Sequence, residues 1–104
     1  MENSFAQQSP ATDEWRVQSK NDLRASGQVQ SLNRALKILL ALGHHSEGLS
    51  LSAIARMVGL PTSTAHRLLT TLQNERFVVF DGSRLKWRVG VQAHRVGQAY
   101  TGTE

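Results

Sequence analysis

The sequence contains no cysteine, which excludes several classes of protein at once. Without thiols the chain has no disulfide, no cysteine-based zinc finger and no cysteine nucleophile. Its longest apolar run, Ile38 to Leu42, is far shorter than the ~20 residues that a membrane-spanning helix needs. The N-terminus lacks the apolar stretch of a signal peptide. We therefore expect a cytoplasmic protein with no membrane association.

The charge of the chain is unevenly distributed. The 104 residues suit one small domain. Residues 1–28 hold three basic and four acidic side chains, whereas residues 29–104 hold nine basic and four acidic. A basic folded part suits an anionic partner such as nucleic acid. Charge alone leaves open a solvated basic surface that binds nothing.

The first 28 residues lack the apolar periodicity of a folded segment. They are rich in Gln, Ser, Asn, Asp and Thr, and their apolar residues follow neither helix nor strand spacing. Such a segment buries too little apolar surface to offset its loss of conformational entropy. We predict a disordered tail over residues 1–28, a folded domain over residues 29–90 and the start of a linker helix over residues 91–104.

A first helix is predicted soon after Val29. Ser31 is expected to cap it, because a serine hydroxyl accepts a bond from an otherwise unpaired backbone amide. Gly43 is expected to end it in the left-handed conformation. Its wide apolar face consists of Leu32, Ala35, Leu36, Leu39, Leu40 and Leu42.

A second, short helix is predicted from Leu51 to Val58. Ser50 is placed to cap it, and Gly59 is placed to close it. Pro61 then prevents the second helix from continuing and stands at the start of the next.

The third helix, predicted from Thr62 to Asn74, has one apolar and one polar face. Its buried stripe repeats at i, i+3, i+4 and i+7 and consists of Ala65, Leu68, Leu69 and Leu72. The opposite face carries no acid before Glu75. Its side chains are those of Ser63, His66, Arg67, Thr70 and Thr71.

The pattern then changes to that of a β-hairpin. Two β-branched and aromatic segments, Phe77 to Phe80 and Leu85 to Val89, flank Asp81-Gly82, a strong hairpin signal. Basic and apolar residues alternate in the second segment, so one face of the hairpin is expected to be cationic. The basic residues are Arg84, Lys86 and Arg88. Trp87 is expected in the core, and a last helical pattern runs from Val91 to Tyr100.

Three helices, a basic hairpin and a linker helix predict a mainly α fold with a small β-hairpin, the winged helix-turn-helix. A helix fits the major groove of B-DNA, and small polar side chains near its N-terminus can approach base edges. The hairpin cations can lie along the neighbouring backbone or minor groove. This order of elements predicts binding to double-stranded DNA.

The sequence resembles the N-terminal DNA-binding domain of IclR-type bacterial transcription regulators. The resemblance lies in the residues from Val29 to Leu39, from Leu49 to Leu51 with Ile54-Ala55, from Gly59 to Leu69, and from Trp87 to Gly90. It implies a homodimer, which we expect to be weak without the effector domain, a palindromic operator and the third helix in the major groove. It also implies a larger effector-binding domain after the linker helix, which this chain does not contain, so we expect no effector response from these residues.

Two positions depart from the family pattern. Thr62 stands where relatives often have Lys or Arg, so the resemblance does not imply a cationic phosphate contact at this position. Arg76 stands where a glycine commonly ends the third helix, and a left-handed arginine costs more than a glycine. The turn from the third helix into the hairpin, which forms the wing, is therefore expected to differ from that of the relatives.

The predicted DNA contacts come from the helices and the wing. His66 is interpreted as a base or phosphate contact, Arg67 as a phosphate clamp, and Arg34 as a backbone contact that the resemblance implies. The full set comprises Ser31, Arg34, Thr62, Ser63, Thr64, His66, Arg67, Thr70, Arg84 and Lys86.

Other functions have weaker support in the sequence. His44, His45 and Glu47 are poorly spaced for one metal ion and lack a fourth ligand, so neither a metal nor another cofactor is expected. No catalytic triad or phosphate-binding glycine loop is recognisable, so we do not expect an enzyme. A winged helix used for protein contacts or dimerisation, and binding to double-stranded RNA, remain as alternatives.

Overall fold

The computed structural model describes residues 27–102, so the predicted tail lies almost wholly outside the described residues. They form helices α1 (Gln30–Gly43), α2 (Leu51–Val58) and α3 (Thr62–Asn74), strands β1 (Val78–Asp81) and β2 (Lys86–Val89), and helix α4 (Val91–Gly97). The chain divides into the units Met1–Gln30 and Ser31–Glu104. Apart from the first residue of α1, this architecture belongs to the second unit. The predicted fold class is confirmed.

One apolar core joins the first five elements. α2 packs against α3, and α3 packs against β1. A fully buried large apolar side chain contributes roughly 1.5–3 kcal/mol, so this core dominates the stability of the domain. Its buried members are Ile38, Leu42, Ile54, Leu69, Val78 and Trp87.

The first helix differs from its prediction at both ends. It begins at Gln30, so Ser31 lies inside the first turn and is not the cap. Sequence signals locate a helix end only to within one or two residues. Gly43 is the last helical residue and does not have the predicted positive φ. The positive φ falls on Gly48 instead, at 95°.

The helix-turn-helix agrees with the prediction at each of its boundaries. The Ser50 hydroxyl accepts a hydrogen bond from the Ala53 amide at 3.2 Å, as the predicted cap requires. Gly59 has a φ of 78° and ends α2 in the left-handed conformation. Pro61 directly precedes α3. Local sequence signals are enough to predict these boundaries, because residues next to them determine where α2 ends and α3 begins.

Arg76 adopts the left-handed conformation usually taken by glycine. Its φ is 66°, its amide bonds the Gln73 carbonyl at 2.9 Å, and the Phe77 amide bonds the Leu72 carbonyl at 2.9 Å. These two bonds form a Schellman motif, which pairs the last carbonyls of α3. The expectation of a different turn is therefore wrong, because these hydrogen bonds hold Arg76 in the conformation.

The hairpin pairs with a third segment that the sequence did not reveal. β1 and β2 are antiparallel, with Phe80 opposite Trp87. On its other edge, Trp87 exchanges two backbone hydrogen bonds with Leu49, at 2.8 and 3.0 Å. Gly48 lies so close to β2 that a Cβ there would stand 2.8 Å from the Arg88 Cγ atom. The loop after α1 is thereby attached to the wing.

The wing loop is longer than the Asp81-Gly82 signal indicated. Asp81 pairs with Lys86, so four residues connect the strands, and positive φ falls on Leu85 at 57° and not on Gly82. The predicted alternation from Arg84 onward is therefore wrong at its start, since Arg84 and Leu85 belong to the loop. Lys86 and Arg88 do share one face of β2.

The last helix is shorter than its pattern suggested. α4 ends at Gly97, so Ala99 and Tyr100 lie beyond the helix. It contacts β1 but buries none of its residues. Because its apolar residues stay unburied, they do not stabilise further helical turns. No helix within residues 27–102 has both the length and the apolarity to cross a membrane.

We predict that Gly48→Ala destabilises the domain by roughly 1–3 kcal/mol, because alanine strains the positive φ and its methyl group meets β2. Gly43→Ala is the matched control, since a Cβ at Gly43 meets nothing within 4 Å. That change should be neutral or stabilise by roughly 0.5–1 kcal/mol. Urea unfolding of the three proteins measures both effects. Equal midpoints for the two variants would contradict the close packing of Gly48 against the wing.

Candidate nucleic-acid interface

An open groove runs between α3, the start of α2 and the wing, with a volume of about 650 Å³. We call it the wing groove. Three predicted site residues of α3, Thr62, His66 and Thr70, lie along it on successive turns. Its lining consists of Ser50, Leu51, Ser52, Thr62, His66, Thr70, Gln73, Phe80, Leu85 and Trp87.

Aromatic rings form the base of the wing groove. Trp87 is only 5% exposed, which confirms its predicted place in the core. Its ring lies 4.8 Å from that of Phe80 and 6.1 Å from that of His66, centroid to centroid, and the His66 contact is edge to face at 78°. Aromatic pairs prefer such tilted and T-shaped arrangements. The imidazole of α3 is thereby positioned by the wing.

A second link between α3 and the wing is a hydrogen bond. The Gln73 side-chain carbonyl accepts from the Phe80 amide at 3.0 Å. This bond uses a backbone donor on β1, so it orients the strand and not merely a side chain. Packing and hydrogen bonding together set the angle between the helix and the hairpin.

The polar face of α3 consists of two rows. Ser63 and Arg67 are exposed and lie one turn apart on the row outside the wing groove. Within residues 27–102, Arg67 makes no ion pair, so its charge remains available to an outside partner. Thr64 is partly buried and does not line the groove, so the structure does not place it with Thr62, His66 and Thr70.

The predicted wing contacts occupy different positions on the hairpin. Arg84 is exposed in the loop, whereas Lys86 is partly buried on β2. Ser31 and Arg34 lie on α1, which contributes no described residue to the wing groove. The structure therefore places Thr62, His66 and Thr70 beside the wing, whereas Arg84, Lys86 and the two α1 residues do not line the wing groove.

The electrostatics of this surface favour an anion. The first turns of α2 and α3 contain no acidic residue, so the positive ends of both helix dipoles are unopposed there. Within residues 27–102, no acidic side chain lines the groove. Glu47 carries a pKa below its ordinary value, chiefly through its own backbone amide, with smaller effects from His45 and Lys86.

Hydrogen bonds organise the wing loop around Asp81. The Asp81 carboxylate accepts from the Ser83 hydroxyl at 2.7 Å and from the Ser83 amide at 3.1 Å. The Ser83 hydroxyl is the main cause of the lowered pKa of Asp81, and the amides of Ser83 and Arg84 add to it. Asp81 thus acts as a structural acceptor at the base of the loop.

Seven residues that line the groove were not predicted as site residues. They are Ser50, Leu51, Ser52, Gln73, Phe80, Leu85 and Trp87. Phe80 and Gln73 carried no local signal, because their roles arise from contacts across the fold. The partial signal for Leu85 was its place between two basic residues. Within residues 27–102, no group of three His, Asp or Glu is placed to hold a metal ion.

The turn between two packed helices, the polar α3 and the hairpin beside it define a winged helix-turn-helix domain. The IclR helix-turn-helix domain matches residues 31–82. The chain belongs to the IclR family, as its sequence resemblance implied.

Named relatives and solved structures agree with this membership. The chain is 43% identical to the transcriptional repressor IclR of Escherichia coli K12 over 76 residues, which cover 73% of this chain and 28% of that protein. It is 42% identical to the regulator TtgV of Pseudomonas putida, over 70% of this chain and 28% of that one. The crystal structure of Pseudomonas aeruginosa HmgR matches with a TM-score of 0.63 and 41% identity, covering 68% and 29% of the two chains. The chain thus spans less than a third of these relatives' length.

We predict that Ser83→Ala raises the pKa of Asp81 toward its ordinary value. The folded-state pKa is depressed, so the loop bonds stabilise the wing above the unfolded pKa and are lost as the pH falls through the folded pKa. An NMR titration of the Asp81 carboxyl in both proteins measures the change. Glu47 is the internal control, since Ser83 does not contribute to its pKa. An unmoved Asp81 pKa would show that the hydroxyl does not hold the carboxylate.

Proposed function

We propose that this domain binds double-stranded DNA in a sequence-specific way, as the DNA-binding part of a bacterial transcription regulator in the cytoplasm. The observation that carries the proposal is the acid-free polar surface of α3, joined to a basic wing by the Trp87 contacts. A helix of this kind fits the major groove, while its neighbouring cations meet phosphates. The proposed activity is binding, with no catalysed reaction, metal or cofactor.

Base contacts and phosphate contacts are assigned to different residues. We assign Ser63 and His66 to base edges, because short polar side chains near the start of a groove helix reach them. Arg67, Arg84 and Lys86 are assigned to phosphates. Further contacts from the helices are assigned to Ser31, Arg34, Thr62, Thr64 and Thr70.

We also propose that the domain binds a palindromic site as a homodimer. An apolar groove of about 550 Å³ lies between α1, the hairpin and α4. Leu36, Leu40 and Val96 line it, and they are 48%, 68% and 59% exposed. Apolar surface of this kind favours a second copy of the chain. A protein partner on α3 instead is not favoured, because that face is polar.

Phosphate contacts and base contacts should have different effects on affinity and on its salt dependence. Replacing Arg67 or Arg84 with Ala should weaken all duplexes about equally and flatten the log–log salt dependence by roughly one unit. Ser63→Ala or His66→Ala should cost roughly 1–3 kcal/mol on the preferred duplex, less on a scrambled one, and leave the slope nearly unchanged. The measurement is binding of each variant to both duplexes over a salt series.

Arg56→Ala is a matched control, since Arg56 is an exposed cation on α2 outside the wing groove. It should change the salt slope less than Arg67→Ala does. If His66→Ala weakens both duplexes equally, His66 belongs to the phosphate contacts. If no α3 or wing variant alters binding, the DNA-binding proposal is wrong.

Footprinting tests the homodimer on DNA. Two-fold proteins protect half-sites about 34–36 Å apart, one helical turn along the duplex. We expect two protected half-sites, and Leu40→Asp should reduce protection of both together by weakening the apolar contact. Protection of a single isolated half-site by the wild type would contradict the dimer.

A further inference from the structure

The wing carries an exposed leucine in an unfavourable backbone conformation. Leu85 has a φ of 57°, in the left-handed region that Gly, Asn and Asp enter far more readily than leucine. Its side chain is 67% exposed, so burial within the domain does not offset the strain. Arg76, the other described non-glycine residue with positive φ, has the Schellman bonds of α3 around it. Strained residues cluster at functional sites, so Leu85 is a candidate functional residue.

The loop holds Leu85 in a defined place. Asp81 pairs with Lys86 across the hairpin, and its carboxylate accepts both bonds from Ser83. The Arg84 amide bonds the Asp81 carbonyl at 3.3 Å. The Leu85 side chain lines the wing groove on the same side as His66 and Thr70 of α3. A ligand in contact with α3 therefore meets this leucine as well.

The charges around Leu85 indicate the chemistry of its partner. Arg84 and Lys86 flank it, and no acid lines the groove within the described residues. An apolar side chain between two cations matches the DNA minor groove, where phosphates border a narrow cleft. Apolar side chains are known to enter that cleft and contact base steps.

We propose that Leu85 inserts into the minor groove and makes the domain favour A·T pairs beside the bases that α3 contacts. The proposal rests on the DNA-binding function given above. A guanine presents an amino donor in the minor groove, whereas A·T pairs present only acceptors. A leucine desolvates the acceptors of either pair, but only at a G·C pair does it also leave an amino donor unpaired. G·C pairs under the wing are therefore disfavoured.

The test uses the 104-residue chain and Leu85→Asn. Asparagine tolerates positive φ and is polar, so the variant should fold with an unchanged or higher Tm. Duplexes are selected from a random pool with each protein. The wild type should enrich A·T pairs at positions flanking the central bases, and Leu85→Asn should keep the central bases but lose the flanking preference.

Inosine gives a direct measure on one selected duplex. An I·C pair lacks the minor-groove amino group but keeps the major-groove pattern of G·C. In the wild type, G·C at the flanking position should weaken binding about fivefold or more, and I·C should restore it. With Leu85→Asn, the duplexes that carry A·T, G·C or I·C at the flanking position should bind within about twofold of one another. Met57→Ala, at a 52% exposed residue outside the wing groove, is the control and should retain the wild-type pattern.

The outcomes separate this proposal from the one on which it rests. If the wild type enriches a central sequence without a flanking A·T preference, or if Leu85→Asn retains that preference, the assignment of Leu85 is wrong and DNA binding stands. If I·C binds as weakly as G·C, the minor-groove amino group is not the cause and the assignment is also wrong. If the wild type enriches no sequence, both proposals fail.

Discussion

The burial of Trp87 is the interaction on which the rest of this surface depends. Its backbone bonds Leu49 on one edge and pairs opposite Phe80 on the other. Its ring packs in the core and contacts His66 from below. Loss of such a large buried side chain costs roughly 3–5 kcal/mol, whereas an exposed ion pair is worth about 1 kcal/mol or less. Apolar packing, and not surface charge, therefore decides where the charged residues stand.

Two strained residues show how the wing is joined and presented. A left-handed residue other than glycine costs roughly 1–2 kcal/mol, a sizeable fraction of the roughly 5–15 kcal/mol that stabilises a domain. At Arg76, hydrogen bonds that end α3 and direct the chain into β1 hold the residue in this conformation. The side chain of Leu85 is exposed, so burial does not offset the strain there. The same backbone conformation thus serves the fold at one position and the surface at the other.

The surface of the domain separates into regions of opposite character. The side bearing α3 and the wing carries the exposed cations Arg67 and Arg84, and within residues 27–102 no acidic side chain lines its groove. The region between α1 and α4 is apolar and left exposed. A small domain cannot bury all of its apolar surface, but here the exposed part is gathered in one place. The arrangement suits a domain that meets a polyanion on one side and protein on another.

Local signals in the sequence were enough to predict α2, α3, the hairpin, the family and the polar face of α3. Helical periodicity, the Ser50 cap, Gly59 and Pro61 act between near neighbours, so they survive without tertiary context. The limits of α1 and α4 were less well predicted, because those ends have weaker signals and less packing.

Only the tertiary structure decided which of the candidate residues meet. The pairing of Leu49 with Trp87, the approach of Gly48 to β2 and the contact of His66 with Trp87 join residues far apart in the chain. The wing loop likewise took its length from the Asp81–Lys86 register and not from its Asp-Gly pair. The sequence by itself determined which segments are helix or strand and which faces are apolar. The relative placement of those faces came from the shared core, because packing depends on the shapes of several distant side chains together.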